Sequence, residues 1–276
     1  MKIFSPILSI LLLISCASGK EKEKTYTGST PAGVVARTFL GIPLTDSVDF
    51  IRWELFLRDG QYHLHYNYGI GKPNTNGFIN DGIKMELSGE LSKDKNYYRL
   101  SNAGKFLQVA ELNGDLLQLL DEERKMLVGN GGWSYTLNNT GPALSDEVSI
   151  KAMKTPLNDS MVFDGRTPCG VPGVIAPGTE CYKLKWRIVL YAKTSRDEPG
   201  TYKILGTALR KEGGQAGDWQ VISGKDGRII YQLNDENGKG FIYLLKLDEQ
   251  VLVFTTAEGK LLVGNQDFSY TMNRVR

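Results

Sequence analysis

The chain has 276 residues, of which 41% are hydrophobic and 10% aromatic, enough apolar surface for one large or two small cores. Lys and Arg number 33 against 31 Asp and Glu, giving a formal charge of +2. The charges are scattered, which removes any electrostatic case for nucleic acid or an anionic surface as partner.

At the start, Lys2 precedes the apolar run Ile7-Leu8-Ser9-Ile10-Leu11-Leu12-Leu13-Ile14, too short to span a bilayer. The run closes in Leu13-Ile14-Ser15-Cys16, which resembles the lipobox of a bacterial lipoprotein signal peptide. That resemblance implies export, removal of residues 1–15 as a signal peptide and acylation of Cys16, so that the protein meets the membrane through its lipid. Several acyl chains anchor durably where one myristoyl chain holds only marginally. Ala17 is not the aspartate that would resemble an inner-membrane retention signal, which points to the outer membrane. Residues 16–33 combine Lys/Glu alternation with Gly, Ser, Thr and Pro, a composition that reads as a flexible tether.

Further along, the chain repeats itself. Residues 125–138, KMLVGNGGWSYTLN, match residues 260–273, KLLVGNQDFSYTMN, without gaps, with nine of fourteen positions identical at an offset of 135. Upstream, Phe39-Leu40-Gly41 aligns with Phe163-Asp164-Gly165, Trp53 with Trp186, Gly60-Gln61-Tyr62 with Gly200-Thr201-Tyr202, and Tyr98-Arg99-Leu100 with Tyr231-Gln232-Leu233. So long a period suits a whole domain. The predicted organisation is a first copy over 34–138, a linker over 139–160 rich in turn formers, and a second copy over 161–276.

Both copies read as β structure. Tyr182, Leu184, Trp186, Ile188 and Leu190 alternate with Lys183, Lys185, Arg187 and Val189, and Ile51, Trp53, Leu55 and Leu57 with Arg52, Glu54, Phe56 and Arg58. That period of two places one face in a core. Further short runs (62–68, 106–112, 116–120, 240–247 and 251–255) are separated by turns such as Asn113-Gly114-Asp115 and Asn237-Gly238. The expected fold class is all-β: two tandem small antiparallel β-barrels on a lipid-anchored tether.

The second copy opens Phe163-Asp164-Gly165-Arg166-Thr167-Pro168-Cys169, carries Trp186 on a strand, and closes Leu261-Leu262-Val263-Gly264-Asn265 before Ser269-Tyr270-Thr271. In this it resembles the NlpE-like copper-resistance lipoprotein family, over most of the second copy and more faintly the first. The resemblance implies a small barrel and a non-enzymatic role in sensing envelope stress, surface contact or copper, through a protein partner or metal. The family's Cys-x-x-Cys is absent: Gly170-Val171-Pro172 follow Cys169, the next cysteine is Cys181, and Pro43-Leu44-Thr45-Asp46 in the first copy has none. Copper chemistry therefore transfers poorly.

Cys169 and Cys181 flank a turn-rich segment. In an oxidising envelope they form a disulfide, with a soft-metal site or two free thiols as alternatives. His63 and His65 stand two apart, so on a strand both imidazoles share a face, either as part of a metal site or as a solvated surface. Two ligands fall short of the three or four of a structural site, and no metal or cofactor residue is assigned. No catalytic residue is assigned either, because nucleophile elbows and zinc-hydrolase motifs are missing. Trp53, Trp186, Phe39 and Phe163 read as core. A different class of function is a lipocalin-like carrier of an apolar ligand, its barrel mouth lined by Tyr66, Tyr68, Phe78 and Tyr97.

Overall fold

The computed structural model describes residues 23–142, 157, 159–175, 180–193, 198–209, 213–223 and 227–275. The expected signal peptide, Cys16 and most of the expected linker lie outside the described residues.

Two closed eight-stranded barrels follow one another, with every neighbouring pair antiparallel. The first comprises β1 (Lys24–Pro31), β2 (Phe50–Arg58), β3 (Gln61–Gly69), β4 (Ile83–Asp94), β5 (Tyr97–Asn102), β6 (Lys105–Asn113), β7 (Leu116–Leu120) and β8 (Thr136–Asn139). The second comprises β9 (Ser160–Thr167), β10 (Leu184–Ala192), β11 (Pro199–Gly206), β12 (Gln215–Ser223), β13 (Ile229–Asn234), β14 (Gly240–Lys246), β15 (Val251–Thr255) and β16 (Thr271–Arg274). A seven-residue helix, α1 (Val34–Leu40), joins β1 to β2 and turns Ala36, Phe39 and Leu40 onto the core.

The period of two is realised as expected. Trp53, Leu55, Tyr62, Leu64, Leu100, Leu107, Val109 and Leu119 fill the first interior, and Phe163, Trp186, Ile188, Tyr202, Ile204, Leu233, Leu244 and Phe254 the second. Closure pairs each strand with two neighbours, although the first half of β4 pairs with β3 alone, since β5 meets only Glu90–Asp94.

Part of the stretch expected as a tether belongs to the first barrel. Residues 24–31 form β1, pairing with Phe50 to Leu57 of β2 and closing the barrel against β8. Their small residues look like linker composition but answer a packing need: a Cβ on Gly28 would lie 2.9 Å from the Thr136 carbonyl, and one on Gly165 3.0 Å from the Thr271 carbonyl. This also corrects the alignment of the two openings. The partner of Phe163-Asp164-Gly165 is Tyr26-Thr27-Gly28 on β1, and Phe39-Leu40-Gly41 belongs to α1 and its cap. Trp53 Nε1 donates to Thr30 Oγ1 at 2.8 Å, and Trp186 Nε1 to Thr167 Oγ1 at 2.9 Å. Pro31-Ala32 thus stands where the second copy has Pro168-Cys169.

The repeated segment lies where the barrels meet. Ser134 and Ser269 share a hydrogen bond of 2.5 Å, and Thr136 and Thr271 one of 2.9 Å. Asn138 Oδ1 accepts from the Gly264 amide at 2.8 Å, and Asn273 Oδ1 from the Gly129 amide at 2.6 Å. Each contact maps onto its counterpart when the copies are exchanged, as in a two-fold interface. Beside it, Ala110, Leu112, Leu116 and Leu120 pack with Ile230, Leu245, Val251, Val253 and Leu261 in a third core. This explains why β7 and β15 are buried along their whole length without alternation: one face fills a barrel and the other the junction.

On β6, Glu111 is 9% exposed and accepts from Lys24 Nζ at 3.0 Å and Lys93 Nζ at 2.8 Å. Burial pushes its carboxyl up, but the hydrogen bonds from Lys93 and Lys24 outweigh this and hold it below its ordinary value. A carboxyl lowered on folding stabilises the fold at higher pH and loses that contribution as pH falls. Stability is expected to decline as pH drops below about 4.5, and Glu111→Gln to flatten the decline, in urea titrations across that range.

Candidate functional site on the outer face of the first barrel

Strand register sets an outward-facing lattice across β1 to β4. One row is Thr25, Phe56, His63 and Ser88; the next is Thr27, Glu54, His65 and Glu86; the third is Ser29, Arg52, Asn67 and Lys84. The inward residues of β3 (Tyr62, Leu64, Tyr66 and Tyr68) are buried, so the histidines share the outer face as their spacing predicts.

His63 Nε2 and His65 Nε2 lie 2.7 Å apart. His63 Nδ1 is 2.7 Å from Ser88 Oγ, and His65 Nδ1 is 3.3 Å from Glu54 Oε2. Glu86 Oε1 is 3.7 Å from His65 Nε2, and one donor atom from each of His63, His65 and Glu86 falls within 4.8 Å of the others. Phe56 meets the His65 ring edge-on, with centroids 5.4 Å apart. One set of tautomers satisfies every contact: with the His65 hydrogen on Nδ1 directed at Glu54, its Nε2 lone pair accepts from His63 Nε2–H. His63 Nδ1 then accepts the Ser88 hydroxyl.

Beside this cluster is an open cleft of about 640 Å³ whose lining includes Arg52, Glu54, His65, Lys84, Glu86 and Gln266. Gln266 comes from the second barrel, its carbonyl accepting from Ser29 Oγ at 2.7 Å. The adjacent Asp267 pairs with Arg52 at 2.6 Å and accepts from Asn76 Nδ2 at 3.0 Å. The site thus borders the junction of the barrels.

The second copy lacks the cluster. With Tyr62 and Tyr202 equivalent, Lys203 and Leu205 replace His63 and His65, and the Arg187–Asp164 ion pair at 2.6 Å replaces Glu54 opposite Thr27. Sequence reasoning found the histidine pair but not Glu54, Glu86 or Ser88, which neighbouring strands supply through register.

Cys169 and Cys181 form a disulfide, with Cα atoms 6.0 Å apart. It closes the connection between β9 and β10, where the first copy uses α1; Val171, Val174 and Ile175 from this loop pack on the second core. Closing a loop of this size contributes about 3 kcal/mol in the chain-entropy account. Reduction is expected to lower stability by that amount, read as a shifted guanidinium midpoint with and without dithiothreitol.

The four aromatics expected at a barrel mouth are dispersed. Tyr66 and Tyr68 belong to the first core, with the Tyr66 hydroxyl donating to the Leu40 carbonyl at 3.0 Å. Phe78 stacks on Phe50 outside that core, with centroids 4.0 Å apart, and Tyr97 packs beside the junction cluster under Arg124.

Fold and site together define a pair of fused antiparallel barrels, one of which carries a histidine-bearing outer face. Searches with family models, among curated proteins and among solved structures returned no match.

Proposed function

We propose that the chain is a non-enzymatic lipoprotein of the bacterial cell envelope, anchored in the outer membrane through acylated Cys16, that acts in envelope-stress or copper homeostasis by binding a protein partner or a metal. The observation that supports binding is how residues divide between the copies. The repeated positions, among them Trp53/Trp186, Thr30/Thr167 and Asn138/Asn273, go to interiors and to the junction, whereas the outward His63, His65 and Glu86 are not repeated. Repetition preserves the scaffold; the unrepeated face is free to specialise. Its half-exposed imidazoles and open cleft suit recognition of a surface or an ion more than enclosure of a substrate.

The test is metabolic labelling with an alkyne-bearing palmitate in a diderm bacterial host, alongside copper and envelope-damage challenge of a deletion strain. Labelling abolished by Cys16→Ala and reduced tolerance on deletion are expected. An unlabelled chain, or unchanged tolerance, counts against the reading. An apolar probe bound stoichiometrically and displaced by lipid extract would instead favour a carrier.

A further inference from the structure

We infer that His63, His65 and Glu86 form a site for one divalent transition ion of the kind that seeks imidazole, zinc(II) or copper(II), on the outer face of the first barrel. This deepens the metal-binding arm of the function proposed above and locates it away from the cysteines, which are bonded to each other.

The argument rests on how the two rings are held. Both Nε2 atoms point at one place, 2.7 Å apart, where a single hydrogen keeps their lone pairs from opposing each other. Both Nδ1 atoms are engaged on the far side, by Glu54 and Ser88. A metal-ligating histidine characteristically gives its other ring N–H to a carboxylate or other acceptor, which fixes the tautomer and raises ligand basicity. Glu54 stands in that relation to His65. For His63 the exchange requires only that its hydrogen move from Nε2 to Nδ1, where Ser88 Oγ becomes the acceptor; no net charge is created on the ring. Zinc–nitrogen bonds of about 2.0–2.1 Å across a tetrahedral ion separate the nitrogens by roughly 3.3 Å, so the rings need part by only about 0.6 Å. Glu86, with its side chain 71% exposed and its oxygen already 3.7 Å from His65 Nε2, closes by side-chain rotation and supplies the anionic third ligand. Two histidines and one carboxylate leave a coordination position for water or for a donor from a partner, as in open zinc sites. The ligand set is borderline in softness, which favours zinc(II) and copper(II) over magnesium or calcium. The second copy, with Lys203 and Leu205 in place of the histidines, offers no equivalent, so the stoichiometry is one ion per chain.

The experiment is competitive titration of the full-length chain in detergent with zinc(II) against a fluorescent chelator, with copper(II) electron paramagnetic resonance in parallel. One equivalent of zinc is expected, together with a copper spectrum showing two coordinated nitrogens. His65→Gln should weaken zinc binding by at least about tenfold and reduce the copper spectrum from two coordinated nitrogens to one, and Glu54→Gln should weaken it about 10- to 100-fold while leaving the two-nitrogen spectrum in place. The Cys169→Ser/Cys181→Ser variant, checked for native circular dichroism, should bind as the parent does. Zinc binding unchanged by His65→Gln, lost with the cysteines, or absent from the folded parent overturns the site. Palmitate incorporation at Cys16 is scored without metal, so the anchor and the ion site fail separately.

Discussion

Gly264→Ala is expected to cost about 3 kcal/mol, at the upper end of overpacking penalties. A Cβ there would stand 2.2 Å from the Phe268 carbonyl oxygen, 2.7 Å from Ser269 Cα and 2.9 Å from Asn138 Oδ1. The first two are backbone atoms of its own turn, which Asn265 holds by accepting from the Asp267 and Phe268 amides, so no side-chain rotation relieves the clash. Opening the turn pulls the Gly264 amide from Asn138 Oδ1 and so weakens the contact between barrels. Gly129→Ala should behave alike, since its Cβ would meet the Trp133 carbonyl at 2.2 Å and Asn273 Cγ at 2.8 Å. Guanidinium unfolding followed by tryptophan fluorescence measures both. A midpoint for Gly264→Ala equivalent to a loss of less than about 0.5 kcal/mol would mean that the junction contributes little to stability.

Trp186→Ala should be more damaging, about 3–5 kcal/mol. The indole is 3% exposed, lies 5.0 Å from the Phe254 ring centroid and donates to Thr167 Oγ1. Trp186→Phe keeps most of the volume and loses chiefly the hydrogen bond, a cost of about 1 kcal/mol. Trp53→Ala in the first barrel removes the equivalent buried indole, 1% exposed, and its hydrogen bond to Thr30. Because the third core spans both barrels, either alanine variant is expected to shift a single cooperative transition. Two separated transitions, with only one of them moved by each substitution, would show that the barrels unfold independently.

The strands readable from sequence were those with one wet face and one dry face. β2, β3 and the first half of β10 alternate because Arg52, Glu54, His63, His65, Lys185 and Arg187 lie on the outer face opposite buried rings and aliphatics. β1 escaped because Thr27, Gly28, Ser29 and Thr30 carry a loop composition, chosen by close approach to β8 and by the Trp53 hydrogen bond. α1 escaped for a different reason: seven residues give too few turns for a helical period, and its place is fixed by Phe39 and Leu40 entering the barrel end. The repeat was legible as a repeat but not as an interface, since Ser, Thr, Gly and Asn in a run also describe a turn. Half of the candidate site could be seen. The histidine spacing defines a face on one strand, whereas Glu54 and Glu86 join it only through cross-strand register, which no local pattern encodes.

The near-exact exchange symmetry at the junction bears on the protein's history. A two-fold contact between like halves is what a homodimer makes, and here both halves are carried on one chain. Identical subunits must display every surface feature twice, and any change to one is imposed on the other. Once duplicated and fused, the halves are released from that constraint: one could keep a helical plug while the other took a disulfide, and a histidine pair could arise on a single face without a twin. The covalent link therefore does more than hold two barrels together. It turns a symmetric particle into one with a front and a back.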